Sequence, residues 1–127
     1  MDKQTERDWM SLRDIQVSAL LIRQYASHLD AEALAENKMI QDAVIRRFEI
    51  IGEAAARTSE SFRLQFPALP WQVMKAMRNL LIHEYDSVDT DILWKTLADD
   101  LPQLIQQTTL ILEAFFPPQD RSQNIDP

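Results

Sequence analysis

Apolar residues recur at three- and four-residue steps along most of the chain, the pattern of helices that each bury one face. Trp9, Leu12, Ile15, Ala19, Ile22 and Ala26 form the first stripe, and Arg7, Arg13, Gln16 and Arg23 break up the other sides. The spacing predicts a helix over about Glu6 to Leu29, then a short turn, Ala31 to Glu36, capped by Asp30. Ile40, Val44, Phe48 and Ile51, widened by Ala43, Ile50, Ala54 and Ala55, predict a second helix over Lys38 to Arg57. Gly52 lies inside it, where glycine costs about 1 kcal/mol relative to alanine. A glycine there is expected to admit a neighbouring helix rather than to end its own.

Thr58, Ser59 and Ser61 offer caps for a short piece running through Phe62 and Phe66. Pro67 and Pro70 forbid a continuous helix across Ala68 and Leu69, and Pro70 suits the first position of a third helix. That helix carries Trp71, Val73, Met74, Met77, Leu80 and Leu81 and ends at the acidic turn around Asp86 and Ser87. Asp89 or Thr90 then caps a fourth helix, Asp91 to Phe115, which Pro102 should kink or split by clashing with the carbonyl of Ala98. Pro117 and Pro118 stop it. The expectation is an all-α, antiparallel up-and-down bundle of four main helices plus short pieces, over residues 1–116, with 117–127 a disordered polar tail.

Composition narrows the chemistry. The chain has 127 residues, enough for one domain, with one glycine and no cysteine. Thiolate nucleophiles and cysteine-type zinc sites are excluded, and glycine-rich phosphate loops cannot be written with a single glycine. The net charge of −7 disfavours a protein that coats nucleic acid non-specifically. Between Ala43 and Glu84, however, six cations meet four anions, leaving +2 there and −9 over the rest. An anionic ligand is best tolerated in that middle segment. The polar start of the chain does not resemble a signal peptide, and no apolar run approaches a spanning helix; a cytoplasmic location without membrane association is expected.

Chemistry concentrates at the end of the third helix. At about 100° per residue, Val73, Met74, Met77, Leu80 and Leu81 form a core stripe, while Gln72, Lys75, Asn79 and His83 form the opposite face. Arg78 flanks the stripe, and Tyr85 lies nearly above it. Glu84 would fall on the core side, so the helix is expected to loosen there and let Arg78, Asn79, His83 and Tyr85 turn toward one opening. Histidine can pass a proton near neutrality, arginine can hold a phosphate with a forked pair of hydrogen bonds, asparagine can orient the imidazole or donate to an oxyanion, and tyrosine can stack a base or accept a group on its hydroxyl. Those are the parts for metal-free RNA cleavage. One histidine supplies only half of an acid–base pair, which a symmetric dimer would complete. Such a run is more often a solvated polar face, with the histidine favoured by the helix dipole. His28 is expected to be structural, Trp9, Trp71 and Trp94 to be core, and Asp42, Asp99 and Asp100 to be caps, partners of Arg46 or surface. Two histidines 55 positions apart give no metal-binding spacing, and no cofactor is implied.

The run Arg78-Asn79-Leu80-Leu81-Ile82-His83-Glu84-Tyr85 resembles the Arg-x4-His-x-Tyr motif of the HepT-like toxin family within the HEPN superfamily. The resemblance extends over about Arg13 to Leu112, through Ile51-Gly52-Glu53-Ala54, Pro70-Trp71, Trp94 and Leu101-Pro102. It implies a helical bundle and a homodimeric, metal-independent bacterial endoribonuclease whose two motifs face across a dimer cleft. It implies a toxin silenced by a minimal nucleotidyltransferase antitoxin, which transfers AMP to the motif tyrosine and with which higher oligomers can form. On this resemblance Arg78 and His83 are catalytic, Asn79 supports them and Tyr85 is the modification site. The other expectation is a non-catalytic module that docks a nucleotidyltransferase or binds nucleotide. A purely structural dimerisation domain is a third.

Overall fold

The computed structural model describes residues 1–82 and 89–117, the stretch from Asn79 to Ile82 by its backbone alone. Among these residues every regular element is helical: α1 (Lys3–Ala26), α2 (Ala31–Glu36), α3 (Lys38–Arg57), α4 (Glu60–Gln65), α5 (Trp71–Ile82), α6 (Thr90–Lys95) and α7 (Leu101–Phe115). The bundle is all-α, as the periodicity predicts.

The polar residues that begin each element explain its start. Asp30 accepts from the N–H of Ala33 at 2.8 Å, and Asp89 accepts from Asp91 and Ile92 at 3.0 and 3.3 Å. Ser59 caps α4. Two starts differ from expectation. α1 begins at Lys3, three residues early, because Asp2 accepts from the N–H of Thr5 at 2.7 Å. Its end comes at Ala26 rather than Leu29, which leaves His28 beyond the helix and exposed, with no core to support. Pro70 stands just before α5 rather than inside it, its carbonyl accepting from Met74 N–H at 2.9 Å.

The expected fourth helix is interrupted. Thr96–Asp100 form a π-helical turn between α6 and α7, and the Leu101 N–H bonds to the Thr96 carbonyl, one residue wider than an α-turn. The wider turn carries the chain past Pro102, whose ring would otherwise press on the Ala98 carbonyl. Asp99 and Asp100 sit in this turn, and Asp100 makes no side-chain cap bond.

α1 packs on α3 along one side and α7 along another, and α3 in turn packs on α5. α2 bridges α3 and α6. The core between them holds Leu12, Ile15 and Ile22 of α1, Val44, Phe48 and Ile51 of α3, Met74 of α5 and Leu104 of α7. Burying each such side chain contributes about 1.5–3 kcal/mol. At one end Trp9 gathers Phe62, Phe66, Phe115 and Phe116, with ring centroids 4.8 to 5.6 Å away. Trp9 and Trp71 are buried and Trp94 packs on the core, so all three tryptophans are structural.

Buried polar groups are partnered. Gln41 donates to the Leu34 and Ala35 carbonyls at 2.8 and 3.0 Å, tying the end of α2 to α3. Asp8, buried on α1, accepts from the Ser59 N–H and hydroxyl and from Gln4. No helix among the described residues is long and apolar enough to cross a membrane.

Candidate functional site

The seam between α3 and α5 carries the first of the expected site residues. α5 buries Trp71, Met74 and Met77, whereas Val73, expected in the core stripe, is 40% exposed. These three buried residues lie on the Arg78 side of the expected stripe. Trp71 fixes this orientation: its ring sits in the core while its Nε1–H donates to the Phe66 carbonyl at 2.9 Å. As a result the root of Arg78 enters the helix–helix interface while its side chain is exposed.

Gly52 makes this possible. A Cβ on Gly52 would meet the Arg78 Cβ at 2.5 Å and the Arg78 backbone nitrogen at 2.8 Å. The expectation that Gly52 admits a neighbouring helix holds, and its contact on α5 is Arg78.

Both helices carry charged groups near this contact. On α5, Lys75 stands about one turn before Arg78, and on α3, Arg46, Glu49 and Glu53 lie within about two turns of Gly52. Arg46 is held by Glu49 at 3.2 Å and Glu53 at 3.7 Å, exposed pairs worth at most about 1 kcal/mol. Asp42, considered as a partner of Arg46, instead pairs with Lys38 at 2.9 Å. Among the described ion pairs neither Lys75 nor Arg78 takes part. Lys75 and Arg78 are thus neighbours on α5, while Arg46 of α3 carries carboxylate partners. Lys75 was legible only as part of a polar face; its neighbourhood with Arg78 follows from their three-residue spacing on a helix.

Asn79 follows Arg78 in α5, described by its backbone alone; His83 and Tyr85, like Glu84 and the expected loosening of the helix end, lie outside the described residues. Among the described residues no three of His, Asp and Glu cluster so as to hold a metal ion. A cavity of about 590 Å³ opens elsewhere, between α1 and α7, lined by Trp9, Met10, Arg13, Leu112 and Phe116 among others and by no residue of α5.

The family model described as "Ribonuclease HepT-like" matches residues 15–111. The protein named "Putative RNase MJ1380" of Methanocaldococcus jannaschii is 39% identical over 100 residues, covering 79% of this chain and 92% of that protein. "Probable ribonuclease HepT" of Thermococcus cleftensis is 39% identical over 102 residues, covering 80% and 91%. No solved structure matches the chain with significance. The stretch that carries Gly52 and Arg78 lies within the matched residues, and the chain belongs to the HepT-like ribonuclease family.

Proposed function

We propose that the chain is a metal-independent endoribonuclease, active as a homodimer and acting as the toxin of a toxin–antitoxin pair. Family membership supports the ribonuclease activity. The single observation behind the finer reading is the sequence order Arg78-x4-His83-x-Tyr85, with Arg78 on α5 and its side chain exposed at the α3/α5 seam. In this reaction a ribose 2′-hydroxyl attacks the adjacent phosphorus and the bond to the 5′-oxygen breaks, leaving a cyclic phosphate and a 5′-hydroxyl. One proton leaves the 2′-hydroxyl and one reaches the departing oxygen. His83 moves these protons, its partner-subunit copy supplying the second group, and Arg78 clamps the phosphate as its charge grows. Asn79 orients the imidazole or donates to the oxyanion.

Tyr85 is the switch in this reading. A minimal nucleotidyltransferase antitoxin transfers AMP from ATP to its hydroxyl: the phenol oxygen bonds the α-phosphorus as pyrophosphate leaves and the phenol proton is lost, placing a phosphate and a purine where the substrate's own phosphate and base must sit. Repulsion and occlusion act together.

The test is cleavage of a labelled single-stranded RNA by the purified protein in excess EDTA. Arg78→Ala and His83→Ala are expected to lower the rate about 100-fold or more with the helical spectrum unchanged. Cleavage by both variants at the parent's rate overturns the assignment. Growth inhibition that survives both substitutions would instead favour a non-catalytic docking module. Mass spectrometry of the protein produced with and without an adjacent nucleotidyltransferase reads AMP on Tyr85.

A further inference from the structure

We propose that Gly52 is a positioning residue for Arg78, an inference that rests on the reading of Arg78 as the phosphate clamp. A glycine inside a helix has two physical justifications: a backbone dihedral closed to other residues, or a lack of room for a side chain. Gly52 does not have a positive φ, so the first is absent. The second is plain. A Cβ there would lie 2.5 Å from Arg78 Cβ, 2.8 Å from Arg78 N and 3.1 Å from Arg78 Cα.

All three nearest atoms belong to one residue, and two of them are main chain. A side-chain tip could swing aside, but the α5 backbone cannot without moving the helix. The collision also falls on the root of the arginine. A small rotation of α5 at that point is magnified at the guanidinium, several bonds farther out. Two-pronged recognition of a phosphate tolerates misplacement of only about 0.5 Å. Gly52, which touches no substrate, thereby sets where the fork of Arg78 points.

A double-mutant cycle in the full-length protein tests this, with single-turnover cleavage of a fluorescent single-stranded RNA and thermal melting measured side by side. Gly52→Ala is expected to slow cleavage about 10-fold or more. In the Arg78→Ala background the same change is expected to slow it by less than about twofold, because the group it misplaces is already gone. Ile51→Val, a neighbouring core change, is expected to lower the melting temperature while leaving cleavage within about twofold of the parent. Gly52→Ala at the parent's rate, or an equal further loss in both backgrounds, overturns the positioning role while leaving the clamp intact. Arg78→Ala at the parent's rate, or a parent that cuts no RNA, overturns the clamp and the positioning role with it. If Gly52→Ala does not fold, Gly52→Ala/Arg78→Gly removes the 2.5 Å contact with Cβ and leaves only the contacts of 2.8 and 3.1 Å with the Arg78 main chain. Recovery of folding in that variant supports the coupling, and failure of both assigns Gly52 to the scaffold and overturns the proposal.

Discussion

Ser59 donates twice to one buried carboxylate: its hydroxyl reaches Asp8 Oδ2 at 2.6 Å and its N–H reaches Asp8 Oδ1 at 2.9 Å. Ser59 is also the N-cap of α4, so a residue of α1 holds the start of a helix some fifty positions later. Asp8→Ala removes the acceptor of the half-buried Ser59 donors and empties a buried site, at a cost of about 1–2 kcal/mol. The expected drop in melting temperature is roughly 3–10 °C. RNA cleavage by the folded variant should stay near the parent's, since neither residue belongs to α3 or α5.

Gln41 gives a second, more local prediction. Its amide satisfies two carbonyls of the six-residue α2, which is too short to persist without support. Gln41→Leu keeps the volume and loses both bonds. Amides of α2 are expected to exchange at least about 10-fold faster, with α1 and α7 unaffected, as read by hydrogen exchange.

Asp2 links the first turn of α1 to acid. The N–H of Thr5 bonded to its carboxylate holds Asp2 below its ordinary 3.8. A lowered carboxylate stabilises the fold above its unfolded value, and the contribution fades as pH falls through the lower folded value. The protection of the first amides of α1 relative to unstructured amides at the same pH should therefore fall on acidification below about pH 4, and Asp2→Ala should abolish that step.

Arg46 separates charge pairing from function on α3, the helix that meets Arg78. Its partners leave it 59% exposed, so Arg46→Ala is expected to shift stability by less than about 1 kcal/mol in chemical denaturation. A larger loss would mean that the pair with Glu49 and Glu53 braces α3.

Local signals in the sequence are legible where a capping side chain stands directly before an apolar stripe. Asp30 and Asp89 cap helices that begin within three residues, and the apolar steps from Leu12 to Ile22 mark a face that one helix carries alone. Distance between partners, or a first turn without apolar residues, hides the rest. Asp8 occupies the next place up the stripe of Leu12, Ile15 and Ala19, which signals burial, but its partner is Ser59 on another element. The start of α1 was missed because apolar periodicity begins only at Trp9, whereas Asp2 fixes the end through hydrogen bonding. Val73 was misassigned because a projection cannot tell which edge of a stripe is buried until Trp71 anchors the helix. Of the candidate site, the spacing of Arg78 and the purpose of Gly52 were legible; that the two are in contact was not, since it depends on how α3 and α5 slide past each other.

The aromatic end of the bundle has a consequence for how the chain could be rewired. Trp9 near the start of α1 lies 5.1 Å, ring to ring, from Phe116 just past α7. The two ends of the helical body are thus neighbours, the arrangement that makes circular permutation feasible. A short linker from residue 117 back to Met1, with new ends cut in the exposed connection at Ser27 and His28, would keep every helix whole and leave the α3/α5 seam untouched. Such a rearranged chain would present its free ends far along the sequence from Arg78, a convenient place to tether a label or a fusion.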